Sequence, residues 1–420
     1  EVDSEGKITV NGKEVKKVMV DGKEFFSDDP KVASKNLPAK MIDKLQVLDK
    51  KSDMAQMTGF DDGEEETVIN LTVKPGMKQG WFGNAYGGYG SKDRYEGNAM
   101  VNRFVNNDQI TFMGGANNTN NMGFSDLAST MFSGMGGGGG RRGGFGAGSG
   151  ITSSGNAGLN FSKEFKPDKL TLGGNTRYSH SDNDARSKSD RQNILPGDSS
   201  SYDNSEAMSR TKSDNFGVDF RLEWKPDTMT QLIFRPSFSF SHSMNDNFSD
   251  ATTLDNERDT VNTNKSSNYP ESNGYNLNAS IDFSRKLNNK GRVFSATLSG
   301  GNSDSYSDGM NRSDIVYFNQ TDALKNSIID QRSRYDNKGF NYRAYVSWVE
   351  PIGHNNFIQA TYSISQRKQE ALKNVYNQDA DGIYNVLDSA YNQSYRNIFI
   401  SQRAILSFKS QRAKFNYTIG

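Results

Sequence analysis

The chain has 420 residues, with 50 Lys+Arg against 50 Asp+Glu, no Cys and a mean hydropathy of −0.80. Balanced charge offers no electrostatic footprint for nucleic acid, and the absence of Cys excludes a disulfide scaffold and thiolate zinc sites. No stretch approaches the roughly 20 apolar residues of a membrane helix, so a bilayer, if crossed, is crossed by strands, which expose only alternate residues to lipid. His180, His242 and His354 lie far apart, and no nucleophile is paired with a base, which leaves an enzyme as the least supported class.

Residues 1–77 have a texture of their own. Asn11-Gly12 and Asp21-Gly22 each separate short strand-like runs, and both dipeptides suit type I′ hairpin turns, which predicts a small meander. Asp29-Pro30 supplies an N-cap with proline at the first helical position, and Leu37-Pro38 limits that helix to about two turns. Residues 44–48 and 67–74 read as further short strands. The acidic run Asp61-Asp62-Gly63-Glu64-Glu65-Glu66 is a solvated face or a partner for basic groups nearby. Together these predict a small α+β unit that sits inside or beneath whatever follows, because Lys74-Pro75-Gly76 leaves only a short link.

Residues 78–420 alternate. Between residues 215 and 224, Phe216, Val218, Phe220, Leu222 and Trp224 interleave with Asn215, Gly217, Asp219, Arg221 and Glu223, and period two puts the two sets on opposite faces. The same reading predicts thirteen strands at about 80–91, 94–105, 108–118, 153–165, 169–181, 213–224, 229–242, 274–287, 291–305, 339–350, 355–370, 396–409 and 413–420. Tight turns such as Lys225-Pro226-Asp227 and Asn288-Asn289-Lys290 join them on one side. On the other side, polar stretches at about 119–152, 182–212, 243–273, 306–338 and 371–395 read as long loops, and only Lys92-Asp93 is short.

Strands of ten or more residues with turns alternating short and long are the pattern of a transmembrane β-barrel. The expected fold class is therefore all-β, an antiparallel transmembrane barrel preceded by the small unit. Thirteen strands do not make an even, closed barrel, so the chain is expected to be a fragment and its sheet open. Phe216, Val218, Phe220, Leu222, Leu232, Phe234, Phe238, Tyr275, Leu277, Ile281, Tyr342, Val346 and Trp348 are expected to face lipid. On that basis Phe220→Arg is expected to be costly and Asp219→Asn cheap. Trp81, Trp224 and Trp348 fall at the short-turn side, as an interfacial girdle requires.

Two segments invite a ligand reading. Asn377, Asp379, Asp381, Asn385 and Asp388, with Gly382 at the sixth place, carry oxygen ligands in the spacing of a calcium loop, although Asp replaces the usual final Glu and no helices flank it. A solvated Asp/Asn/Gly turn explains the same residues; if a cation binds, Asn377, Asp379, Asp381 and Asp388 are its candidate ligands. The glycine-rich stretch at 134–150 lacks repeated RGG units and a phosphate-loop Lys-Ser/Thr, and reads as a low-complexity surface loop. Arg177, Arg221, Arg235, Arg343 and Arg403 fall on the polar faces of their strands, as candidates for salt bridges to the small unit or for an anionic path.

The segment EVDSEGKITVNGKEVKKVMVDGKEFF at 1–26, Asp28-Asp29-Pro30, DKLQVLDKKSD at 43–53 and Thr67-Val68-Ile69-Asn70-Leu71 resembles the second half of a plug domain. It is similar to that of the TonB-dependent receptors of Bacteroidetes-type outer membranes, in the β-barrel family that follows a carboxypeptidase-regulatory-like domain. The resemblance covers about 75 residues of the unit, while the barrel match rests on pattern. It implies a 22-stranded barrel in the outer membrane, of which these would be about thirteen strands, with the plug in its lumen. It also implies energy from the inner-membrane TonB complex, import of a scarce solute, contact with outer-membrane lipid and a possible surface lipoprotein partner. No resident cofactor follows from it. The alternative is an adhesin or assembly barrel that keeps a plug without transport.

Overall fold

The structure is a computed structural model that describes residues 8–10, 12–15, 17–24, 39–51, 55–56, 65–77, 79–106, 108–120, 150–167, 169–194, 200–318, 326–353, 355–411 and 416–420. In the first segment, β1 (Thr9–Val10) pairs with β2 (Lys13–Glu14), and β3 (Lys17–Val20) turns into β4 (Lys23–Glu24). Asp21 and Gly22 both take positive φ, +48° and +80°, as a type I′ turn demands. The unit is more than the predicted meander. β3 also pairs in parallel with β6 (Glu65–Val73), whose other edge takes β5 (Ile42–Lys51) antiparallel, giving the order β4-β3-β6-β5. A parallel neighbour is reached only through a crossover, so local turn signals cannot reveal it. The expected helix after Asp29-Pro30 and the acids at 61–64 lie outside the described residues; of the run's remainder, Glu66 pairs with Lys17 at 3.3 Å.

The large sheet follows the chain almost without exception. Its strands are β7 (Gln79–Gly90), β8 (Arg94–Val105), β9 (Asp108–Asn117), β10 (Ile151–Lys166), β11 (Leu170–Asn193), β12 (Ser201–Trp224), β13 (Thr230–Leu254), β14 (Thr260–Lys286), β15 (Val293–Tyr317), β16 (Asn326–Pro351), β17 (Asn356–Gln378), β19 (Gln393–Gln411) and β20 (Asn416–Ile419). Each is antiparallel to its neighbour in sequence order, apart from the short β18 (Tyr384–Leu387), which pairs with β17 off the main path. Among the described residues β7 and β20 do not pair with each other, so the sheet is open.

Strand number and order agree with the sequence reading, but strand length does not. β11 to β17 run for 23–27 residues, far beyond the roughly 9–11 needed to cross a bilayer. Most of the stretches read as long loops at 182–212, 243–273, 306–338 and 371–395 are strand, and β13 joins β14 across residues 255–259 alone. The reason is that both faces are wet there, so apolar alternation, the signal for a strand, is lost while the pairing continues. Period two survives in another form. On β11 to β17 beyond the apolar band, one face carries charge, as in Asp182, Arg210, Asp308, Arg332 and Lys338. The other carries mainly Ser, Asn, Thr and Gly, with a few apolar residues such as Ile315, Ile329 and Tyr335, and with Arg191, Asp203 and Lys373 as the charged exceptions.

The small unit identifies the inner face. Ile8, Val15, Val18, Val20, Met41, Ile69, Leu71 and Val73 form one buried cluster with Met100 and Phe104 of β8 and Met113 of β9. These three wall side chains are 2–4% exposed, and each contributes roughly 1.5–3 kcal/mol on burial. The unit is therefore docked on one face of the sheet, and the register carries that face from strand to strand.

Candidate functional site

On the outer face the thirteen residues expected to meet lipid share one side of the sheet. Phe216 stands opposite Phe240, Val218 opposite Phe238, Leu222 opposite Phe234, Leu277 opposite Phe238 and Trp348 opposite Phe294. Two rows bound this band. One, Tyr178-Phe216-Phe240-Tyr275, is a run of registered neighbours on β11 to β14. The other holds Trp224 and Trp348, on the same outer face and at the same edge of the sheet as Trp81; the three are 47%, 41% and 70% exposed. Phe216 and Trp224 are eight residues apart, about 26 Å along the strand and about 20 Å in height at the usual barrel tilt. One step beyond the upper row stand His180, Asp214 and His242, with His180 Nδ1 2.8 Å from Asp214 Oδ1 and His242 Nδ1 2.7 Å from Asn273 Oδ1. His354 lies outside the described residues.

The inner face is polar and holds a cavity of about 630 Å³ between the small unit and the wall. Asp21, Gly22, Lys50 and Gln56 line it from the unit, and Asn160, Asn175, Asp219, Arg221, Glu223 and Gln231 from β10 to β13. Arg177, with a 7% exposed side chain, pairs with Asp219 at 3.1 Å, and Asn175 Nδ2 donates to the same carboxylate at 2.8 Å. Glu223 accepts from Lys225 at 2.7 Å and from Gln231 Nε2 at 2.9 Å, with Arg221 at 3.6 Å. Arg235 pairs with Asp282, which also accepts from Thr297 Oγ1 at 2.7 Å. The ion pairs of Arg177, Arg221 and Arg235 seen among the described residues thus lie within the wall. Asn102 Nδ2, Gln109 Nε2 and Asn160 Oδ1 are buried on this face without a hydrogen-bond partner among the described residues, so the apolar spot around Met100, Phe104 and Met113 is bordered by polar wall.

All five arginines singled out in the sequence are on this face. Arg235 stands opposite Ser280, Ser280 opposite Ser299, and Ser299 opposite Arg343. Arg403 of β19 is opposite Ser363 of β17. Arg343 and Arg403 are exposed and, unlike Arg177, Arg221 and Arg235, have no carboxylate partner among the described residues. Arg367 of β17, which the sequence reading did not single out, joins them: it faces the same side, opposite Asn341 and Phe399. Carrying the period-two count past residue 365 finds it, but only the register shows what stands beside it.

The residues in calcium-loop spacing form a hairpin tip between β17 and β18. Asp379 accepts from the backbone N–H of Ile383 at 2.9 Å and of Asp381 at 3.0 Å, and from Asn385 Nδ2 at 2.5 Å. These donors, Ile383 N–H foremost, hold its pKa below the ordinary carboxylate value. Asp388 accepts from Asn377 Nδ2 at 3.0 Å, Gln331 Nε2 at 3.1 Å and Ala390 N–H at 3.1 Å. Carboxylates so engaged by N–H donors close a turn, and Asp379, Asp381 and Asp388 do not assemble into a metal-holding group; no three His, Cys, Asp or Glu do so among the described residues.

No protein-family model matches the chain, and no curated protein matches it. Among solved structures it aligns with the siderophore receptor PiuA from Acinetobacter baumannii at 10% identity and a TM-score of 0.42, over 98% of this chain and 58% of that one. The ferric-catecholate import receptor Fiu from E. coli K12 aligns in its open form at 10% identity and TM-score 0.30, over 97% of this chain and 78% of that one. Its closed form aligns at 9% and 0.29, over 94% and 70%. The chain thus spans 58% of the length of PiuA.

Proposed function

We propose that this chain is wall and plug of an outer-membrane transporter of the TonB-dependent kind, with residues 1–77 as part of the plug and 78–420 as part of the barrel. The observation that carries the reading is the pairing of two faces on one sheet: an apolar outer band bounded by aromatic rows, and a polar inner face on which a separate folded unit is docked. A band of that height suits lipid, whereas a second soluble sheet would have to cover it, and no such sheet is present among the described residues. The docking spot is small and apolar, and the border around it is polar. A unit held that way stays in place at rest and separates under pull without tearing a large hydrophobic core, which is the behaviour a gate requires.

In this reading a solute enters from the side of the strand extensions, meets the unit in the lumen, and passes when the inner-membrane TonB complex displaces it. Outer-membrane lipid surrounds the band, and a surface lipoprotein is the partner that would cap the extensions. The role is transport, with no chemistry performed on the solute. Placement in the outer membrane of a Bacteroidetes-type envelope follows from the same resemblance.

The three tryptophans test the membrane placement. In single-Trp variants reconstituted in vesicles of lipids brominated at graded depths, Trp81, Trp224 and Trp348 should be quenched alike by shallow bromines. Quenching at three different depths, or none, would refute the reading. Solute uptake by cells that persists without the TonB complex would instead favour a non-energised barrel.

A further inference from the structure

The inner wall is economical with charge. Arg177, Arg221 and Arg235 each have a carboxylate within the wall, and above them the face is largely Ser, Asn and Thr. Arg343, Arg367 and Arg403 break that rule. Arg343 stands directly opposite Ser365 of β17, and Ser365 directly opposite Ser401 of β19. Arg367 is two residues along β17 from Ser365, and Arg403 is two residues along β19 from Ser401 in the opposite sense, next to Ser363. Opposed residues have Cβ atoms about 5 Å apart and diagonal neighbours about 7–8 Å. The register thus places Arg343, Arg367 and Arg403 on one face of three adjacent strands around Ser365: Arg343 opposite it, Arg367 two residues along its own strand, and Arg403 diagonal to it.

Like charges gathered on one face repel one another, and among the described residues none of the three has an Asp or Glu partner. Their cross-strand neighbours on the face are Ser299, Ser363, Ser365 and Asn341, hydrogen-bonding groups without charge, and Phe399, whose ring stands opposite Arg367. Arg343 also shares a cross-strand row with Arg235, through Ser280 and Ser299. Resting on the transport reading, we propose that Arg343, Arg367 and Arg403 form a binding site for a small multivalent anion, carrying carboxylate or phosphate groups, on the lumen wall. Planar guanidinium forks bind such oxygens bidentately, and the Ser365 hydroxyl donates a further hydrogen bond at the centre.

The test is calorimetric titration of the purified 420-residue chain in detergent with citrate and, separately, with inorganic pyrophosphate. One or both should bind with one-to-one stoichiometry, and which binds more tightly separates the carboxylate from the phosphate source. Arg343→Gln, Arg367→Gln and Arg403→Gln should each weaken binding about tenfold or more, and the triple variant should abolish it. Arg186→Gln, on the outer face, should change nothing. Far-UV circular dichroism checks that each variant is folded, and the single variants decide the matter if the triple is not. Failure of both anions to bind the native chain, or equal affinity in the folded variants, would overturn the proposal. Neither result touches the tryptophan depths, so this site and the membrane reading fail independently.

Discussion

Placing the same charge at two heights on one strand tests the membrane band most directly. Phe220 and Met208 lie on the outer face of β12 twelve residues apart, 38% and 47% exposed. Phe220 is four residues from Trp224 and four from Phe216, so it sits midway between the aromatic rows. Met208 is eight residues beyond Phe216, about 26 Å further along the strand, among Glu206, Arg210 and Lys212. Arginine on the lipid face costs about 2–4 kcal/mol at the midplane and about 0–1 kcal/mol near an interface. Phe220→Arg should thus destabilise by about 2–4 kcal/mol and Met208→Arg by less than about 1 kcal/mol. Urea titration of the chain folded in lipid vesicles, followed by tryptophan fluorescence, measures both. Equal costs, or the larger cost at 208, would refute the assignment of the band.

Asp219→Asn, which the alternation alone predicts to be cheap, should cost about 1–3 kcal/mol in the same titration, because it strips the nearly buried Arg177 of its carboxylate. Gly174→Ala should cost about 1–3 kcal/mol, since the added Cβ would lie 2.6 Å from the Asp219 carbonyl oxygen and 2.6 Å from Phe220 Cδ1; a neutral result would mean that β11 and β12 are further apart than described. The Asp379 turn should loosen in acid. Its folded pKa is depressed, so its contribution is present above the ordinary carboxylate pKa and is lost as pH falls through the lowered value. Amide exchange at Asp381 and Ile383, corrected for intrinsic pH dependence, should speed up in that window and be fast throughout in an Asp379→Ala variant, which has no side-chain acceptor; slow exchange in that variant would mean that the Asp379 side chain is not the acceptor.

The sequence was most legible where one face is greasy and the other wet. Phe216 to Trp224 announces its strand, its faces and its end, and the tryptophans mark the level of the turns. Legibility failed in two physical situations. Residues such as 201–212 have both faces in water, so nothing apolar alternates, and the pairing that makes them strand is a relation to β11 and β13 and not a local property. The parallel contact of β3 with β6 spans some 50 residues, beyond the reach of any turn signal. The candidate site was half legible. Period two put Arg343 and Arg403 on the polar face, but their closeness to Arg367, and the partners that Arg177, Arg221 and Arg235 have and they lack, depend on cross-strand register.

The long extensions also set what evolution or an engineer can alter. On β11 to β17 no register shift interrupts the pairing until the bulge at Thr253 and Leu254. Adding one residue near Ser243 would leave the strand paired but reverse every side chain above it, turning Asp246 and Asp250 into the vestibule and Asn245, Asn247 and Ser249 outwards. Two residues would preserve the faces and slide the ladder. The tip at 255–259 is free of both constraints, so a foreign epitope grafted there should be displayed intact, while the same graft ten residues lower would scramble the collar that carries it.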